Sequence, residues 1–520
     1  MRVPVRSKSP SKARINRAIS YSAPTAGWNT RDSLASMKPN HAIVLKNFFP
    51  KTSYCEIRGG YAASATGMTG AGKTLAVYNG MNGTNKMFCA TASGVYDVSS
   101  AGVVGASVAA RTDGKHQTLM FGDGTNHYLM MFNGVDKPLY YDGSTWLAVD
   151  GATSPALTGL TTTSIISAFE FKGRLMVIEK DTLSFWYLAA GAAGGALTEF
   201  PLDGVAKKGG YLMAGATWTF DGGSGPDDRA VFMTSEGEVI VYQGTNPSSS
   251  TSWALVGVFE LGKPLGRKCL TKYGGDIVAI TQNGVFPLST SLQSAIVDNK
   301  SGVTNIIENT FNESARNYGS NFGWEAIIYP AQSAMIVNIP IAENGAHEQY
   351  VMNTITKAWC KFTSWDAETF AVFNGDLYFV NGTSTYKAWS GTTDGGSNIV
   401  AFGKTAFSYF GDMGSQKRIN MFRPVLATNG YVSLLTDIDV DFNDTEITGT
   451  ETYSVVSGAR WDFGDWDEVY WAAGIEVVKE WTSPDENLGY CASGKIKIET
   501  NSLTIQWISN DFMYELAGPL

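Results

Sequence analysis

Cysteine is scarce in this chain and widely scattered. Cys55, Cys89, Cys269, Cys360 and Cys491 are odd in number, far apart and never in a CxxC pair. That excludes a secreted disulfide framework and leaves buried free thiols as the expectation. No run of eighteen apolar residues occurs, so no membrane-spanning helix is expected. The N-terminus lacks the apolar core of a secretory signal, although its Arg and Ser content imitates an organellar transit peptide. A plain disordered arm is the expectation there. His41, His116, His127 and His347 are the only histidines and have no metal-ligand spacing; no GxSxG is present. Charged residues make up only 17% of the chain.

Glycine is plentiful. There are 57 in 520 residues, above the usual ~7%. With 44% hydrophobic residues and 12% aromatics, this is a turn-rich β composition with enough apolar mass for a large core. The length implies two or three domains or one repeat array. Charge is uneven. Arg2, Arg6, Lys8, Lys12, Arg14 and Arg17 give the arm +6 of a chain total of −9, so the remainder carries −15. Such a body repels phosphates and is a poor general nucleic-acid binder. The arm reads equally as a solvated tail or as a docking element for DNA phosphates or an acidic ring.

Short apolar runs recur between Asn-Gly, Asp-Gly, Ser-Gly, Lys-Gly and Glu-Gly turns. Examples are Lys86–Ala90, His127–Phe132, Arg174–Glu179, Arg229–Thr234, Asp276–Thr281 and Thr369–Phe373. Each is a hairpin signal. Six or seven meanders of roughly 40–55 residues between 63 and 400 suggest a β-propeller. Its blades lack the WD dipeptide, so they are degenerate. Ser291–Tyr318 is polar and reads as an insertion, helical around Asn305–Asn317. From about 401 to 520 the strands lengthen and alternate, which suits a β-sandwich; Thr405–Tyr409 and Ile419–Ala427 read as a hairpin. The fold expected is all-β: a propeller over 63–400 followed by a sandwich over 401–520.

Three motifs invite chemistry. Gly67-Met68-Thr69-Gly70-Ala71-Gly72-Lys73-Thr74 satisfies the phosphate-cradling GxxxxGK[ST] pattern. The pattern needs a helix after it, and Asn79-Gly80 and Asn82-Gly83 end one early. A chance match on a hairpin is expected. Asp437, Asp439 and Asp441 alternate with Ile438, Val440 and Phe442; Phe442 and Thr448 stand where an EF-hand needs its Gly and its bidentate acid, which excludes one, and the alternation puts three carboxylates on one strand face. That face is either solvated or the acidic wall of a channel. The run Trp461–Trp471 mixes rings and carboxylates, as in core or interface packing or in sugar stacking with acid/base pairs.

The stretch Ser22–Tyr61 differs from all of this. Pro24 and Gly27 break regular structure, Asn29 and Asp32 favour turns, and Pro39-Asn40 can start a helical turn that Pro50 stops. Tyr54–Arg58 alternates like a strand. Residues 21–62 therefore read as an adaptor between the arm at 1–20 and the β body. Its wording, APTAGWNTRDSLASMKPNHAIVLKNFFP (23–50), resembles the N-terminal segment of tail nozzle proteins of short-tailed bacteriophages, also called packaged-DNA stabilisation or tail-tube proteins. The resemblance covers about forty residues well and the rest by general pattern. It implies a non-enzymatic, cofactor-free virion protein. Its subunits would form a six-fold ring below the portal and adaptor rings, retaining packaged DNA until infection. The alternative from the residues is a carbohydrate-binding or carbohydrate-active propeller that reads a host receptor.

Overall fold

Hairpin follows hairpin through most of the chain because each apolar run is too short to fold back except by a tight turn. The computed structural model describes residues 16–81, 83–219, 228–292, 299–430, 432, 434–445, 447, 476–478, 481–484 and 487–518. Arg2, Arg6, Lys8, Lys12 and Arg14, and the run Trp461–Trp471, lie outside these. The chain forms two compact units, Arg58–Ile399 and a second built from the residues up to Ile57 with those from Val400 onward.

The first unit is a seven-bladed β-propeller. Its inner strands are Gly72–Tyr78, Gln117–Gly122, Ile165–Phe171, Leu212–Trp218, Leu270–Tyr273, Glu325–Tyr329 and Thr369–Phe373, in blades 1 to 7. Each starts an antiparallel meander. Each inner strand neighbours the next, and that of blade 7 neighbours that of blade 1, so the ring is closed. Between blades the facing surfaces fuse into apolar layers. Phe121, Phe132 and Tyr140 of blade 2 pack with Leu175 and Val177 of blade 3, and Phe185 of blade 3 packs with Phe232 and Tyr242 of blade 4. Blade 7 is completed from the other end of the unit: Tyr61–Ala63 pairs antiparallel with Tyr386–Ala388 as its fourth strand.

Blades 1 and 5 have three strands each among the described residues. In blade 5 the fourth position is taken by the inserted segment. Val303 donates its N–H to Val285 O (2.9 Å), and the helix Glu308–Tyr318 follows, close to its expected place.

The second unit is a β-sandwich. One sheet runs Glu476–Val478, Gln416–Thr428, Ile505–Gly518, Cys55–Ile57, Phe48–Pro50; Arg17–Ser22 pairs with the long C-terminal strand. The other holds Leu434–Val440, Ala492–Thr500, Ile399–Thr405, His41–Lys46 and Gly27–Trp28. Their inner faces meet closely. A Cβ on Gly403 would lie 2.4 Å from the Trp507 ring, and one on Gly494 2.5 Å from the Phe422 ring.

Several expectations need correction here. The adaptor is not a separate connector: Trp28, Ala42, Leu45, Phe48 and Phe49 are sandwich core. No helical turn forms at Pro39-Asn40, because His41 already enters a strand. The sandwich does not simply follow the propeller; both chain ends build it. The expected 405–427 hairpin is split between sheets: Ile399–Thr405 lies in one and Gln416–Thr428 in the other. Alternation reports that a segment is a strand, but not which sheet it joins.

Candidate functional site

The inner strands of blades 2 to 6 line a channel cavity. This cavity, of about 440 Å³, is lined by Gln117, Thr118, Ser167, Glu170, Thr217 and Lys272, among others. Gly215 makes room for its neighbour in blade 3: a Cβ there would lie 2.3 Å from the Phe169 ring. The cavity adjoins a mouth of about 390 Å³ on the side where the inner strands begin, and the two share Gln117, Arg267, Lys268 and Glu325.

The mouth is built from charged side chains placed at or just before the starts of inner strands. Glu325 opens the blade 6 strand. It accepts hydrogen bonds from Lys268 Nζ (2.6 Å), Thr369 Oγ1 (3.0 Å) and Phe370 N (2.5 Å), which ties blades 5, 6 and 7 together. Glu368 pairs with Lys73 of blade 1, and the His347 Nε2 atom lies 3.9 Å from its other oxygen. His347 Nδ1 meets Gly345 O at 2.9 Å. Lys115, before blade 2, reaches Glu343 of blade 6 at 2.6 Å. The Phe322 ring has the ammonium of Lys115 4.9 Å from its centroid and that of Lys73 at 5.6 Å, a cation–π pair of contacts. Arg267 is half-buried. Its Nη1 donates to Asn133 O (3.2 Å), and no carboxylate pairs with it among the described residues.

Lys73 thus belongs to this rim, not to a phosphate cradle. Gly72–Tyr78 is a strand, and no helix follows. Thr74 Oγ1 donates to Gly114 O (2.8 Å), so the hydroxyl a magnesium ion would need is engaged in joining blade 1 to the segment before blade 2. Lys73→Ala is expected to cost about 3 kcal/mol, the lower end of the range for removing one partner of a buried ion pair, since His347 stays beside Glu368, and to leave ATP binding absent before and after. A micromolar ATP site by calorimetry, lost in the variant, would show this to be wrong.

The acidic triplet is corrected. Asp437 and Asp439 do share a strand face, but that face is covered. Asp439 is fully buried between Lys404 (2.6 Å) and Lys495 (2.7 Å), and Lys495 also meets Asp437 at 3.1 Å. Asp441 has left the strand; with φ +49° it turns and accepts from Tyr490 N (2.6 Å). A wall of free carboxylates needs solvent, and here two buried ammonium groups neutralise it. Arg17 is exposed at the start of its strand, opposite Tyr514.

Burial pushes up the thiols of Cys55, Cys89 and Cys491, and that of Cys269 to about 12, so none supplies a thiolate near neutral pH. Burial also pushes His116 down to about 4. Among the described residues no group of three His, Cys, Asp or Glu side chains is placed to hold a metal ion, and no helix is long and apolar enough to cross a membrane.

Sequence reasoning missed the rim residues Arg267, Lys268, Glu325 and Glu368. Arg267 and Lys268 form a single adjacent pair, and Glu325 and Glu368 stand far from it in sequence, so no motif marks them. A signal did exist: Lys115, Lys268, Glu325 and Glu368 all fall within two residues of the start of an inner strand.

No protein-family model matches the chain, and no curated protein matches it. Solved structures with a similar course are propellers. One is the Cps50 (Swd1) β-propeller domain of Myceliophteria thermophila: 11% identity, TM-score 0.39, covering 63% of this chain and 98% of that one. Another is the Pan2 WD40 domain of Neurospora crassa: 10% identity, TM-score 0.37, covering 63% and 95%. A third is the extracellular domain of a hybrid two-component system from B. thetaiotaomicron: 11% identity, TM-score 0.40, covering 62% of this chain. Of that last structure the present chain spans 41%. At such identities the likeness concerns fold alone.

Proposed function

We propose that this chain is a structural component of a phage tail, a nozzle subunit that assembles into a ring and guides packaged DNA without acting on it chemically. One observation supports the reading most. The residues that resemble the nozzle segment are not a loose leader but core of the sandwich, with Ala42, Leu45, Phe48 and Phe49 fully buried. Wording that is fixed by a core extends to the domain that the core holds together. The net charge of −9 fits a conduit that must release DNA, since like charge prevents adhesion. Portal or adaptor rings above it, passing double-stranded DNA and assembly in the host before residence in the virion all belong to the same proposal.

Negative-stain electron microscopy of the purified protein, and of the virion it comes from, tests this. Six-fold rings, and density for the propeller at the distal tail, are expected. A protein that stays monomeric at virion-like concentration and is absent from particles would remove the reading.

A further inference from the structure

We infer that the mouth and waist of the propeller channel form a binding site for a small carboxylate-bearing polyol, a ligand of the sugar-acid class. Arg267 is a cation of this site that no carboxylate pairs with among the described residues. It stands where the channel cavity and the mouth meet. Its neighbours at that waist are spoken for, since Lys268 and Glu325 neutralise each other at 2.6 Å. Arg267 has only the backbone oxygen of Asn133. A guanidinium fork presents five N–H donors in a plane, and carboxylate is the anion that matches it with two parallel bonds. Lys180, exposed on the same mouth, has no side-chain partner among the described residues either, while the carboxylate of Asp113 on that mouth is engaged by the Lys115 backbone N–H at 2.8 Å.

The lining decides what carries the carboxylate. Gln117, Thr118 and Ser320 face the two cavities with amide and hydroxyl groups that make no side-chain hydrogen bond among the described residues. Such groups suit hydroxyls. An acidic peptide would also need an apolar groove for its neighbouring side chains. The two large rings of the mouth are not offered for that: Trp324 is buried with its Nε1 donating to Tyr318 O, and Phe322 carries the Lys73 and Lys115 ammoniums. Volumes of about 390 and 440 Å³ fall within the usual range of small-ligand sites.

Isothermal titration calorimetry on the full chain tests the inference with four probes: galacturonic acid, N-acetylneuraminic acid, neutral galactose and an acetylated Glu-rich peptide. At least one sugar acid is expected to bind, with galactose at least tenfold weaker and affinity falling as salt rises. Arg267→Gln should weaken the sugar acid about 10- to 100-fold with an unchanged melting temperature; Lys180→Ala should weaken it a few-fold. Should Arg267→Gln fail to fold, Arg267→Lys, which keeps the charge and loses the fork, reads the same atom. The inference is overturned if no sugar acid binds at millimolar concentration, if binding is indifferent to Arg267 and Lys180, or if only the peptide binds. Ring assembly is a separate measurement and is unaffected by any of these outcomes.

Discussion

Arg58→Ala is expected to lower the stability of the propeller by about 3–5 kcal/mol, the cost of removing one partner from a buried ion pair. Arg58 is 1% exposed. Its two terminal nitrogens meet both oxygens of Asp394 at 2.8 and 2.6 Å, and they also donate to Gly59 O and Thr363 O. The guanidinium lies 4.9 Å from the centroid of the Trp365 ring. This knot sits immediately before Tyr61–Ala63, the short strand that closes blade 7. The strand itself has only three residue pairs, too few to hold a ring shut. Close approach helps: a Cβ at Gly60 would fall 1.9 Å from Thr393 O. Truncating Arg58 leaves the Asp394 carboxylate buried without its fork and frees the closing strand. Denaturant unfolding followed by tryptophan fluorescence checks it, with Arg31→Ala as control. That control removes a half-exposed pair with Asp32, and such pairs contribute about 0–1 kcal/mol. In a double-mutant cycle with Asp394→Ala, the losses should fall well short of additive. A loss below 1 kcal/mol for Arg58→Ala would show that the blade-to-blade packing, not this knot, closes the ring.

The sequence makes the blades readable and hides their closure, for a physical reason. A hairpin announces itself within a dozen residues, because a tight turn demands Gly or Asn and the strands beside it demand apolar side chains. The reading over His127–Phe132, Arg174–Glu179 and Asp276–Thr281 therefore matches the strands residue for residue. Inner strands are harder to read. Leu212–Trp218 carries Ala, Gly and Thr because it lines a crowded channel, and Leu270–Tyr273 is short and half-exposed. Both lack the expected pattern. Closure by Tyr61–Ala63 joins residues more than 300 apart in sequence, and nothing local in Tyr-Ala-Ala signals it. The same holds for the sandwich, whose sheets are drawn from both chain ends. Long-range pairing leaves little trace in a local window, and the rim of the channel, contributed by scattered residues of several blades, leaves less.

Asp439 shows how a correct local reading can carry the wrong consequence, and it supports the other large expected effect. Alternation rightly put Asp437 and Asp439 on the face opposite Ile438. What alternation could not show is that Lys404 and Lys495, from two neighbouring strands, rise on that same face, and that Asn443–Thr445 folds over it. Lys404 also meets Asp444 at 2.8 Å, and Lys495 donates to Thr445 O at 2.9 Å. Asp439→Ala would leave two ammonium groups, 1% and 0% exposed, without the carboxylate between them. The sandwich is expected to lose about 3–5 kcal/mol, against about 0–1 kcal/mol for Asp444→Ala, whose side chain is exposed. Adding Lys495→Met to Asp439→Ala should recover part of the loss, because it removes one stranded charge. The pH dependence has a definite sign. Burial pushes the Asp439 carboxyl up, but hydrogen bonds from Lys404, Lys495 and Thr445 together outweigh it and hold the group below the usual carboxylate range. A depressed folded value means the contribution is complete above the unfolded value near 4 and is lost as pH falls through the folded one. Thermal unfolding of the wild type should therefore steepen in its pH dependence below about pH 4, and Asp439→Asn should flatten it there. Equal slopes in the two proteins would place the acid sensitivity of the sandwich at another carboxylate, and an unchanged midpoint for Asp439→Ala would mean that Asp437 and Asp444 already suffice to hold the lysines.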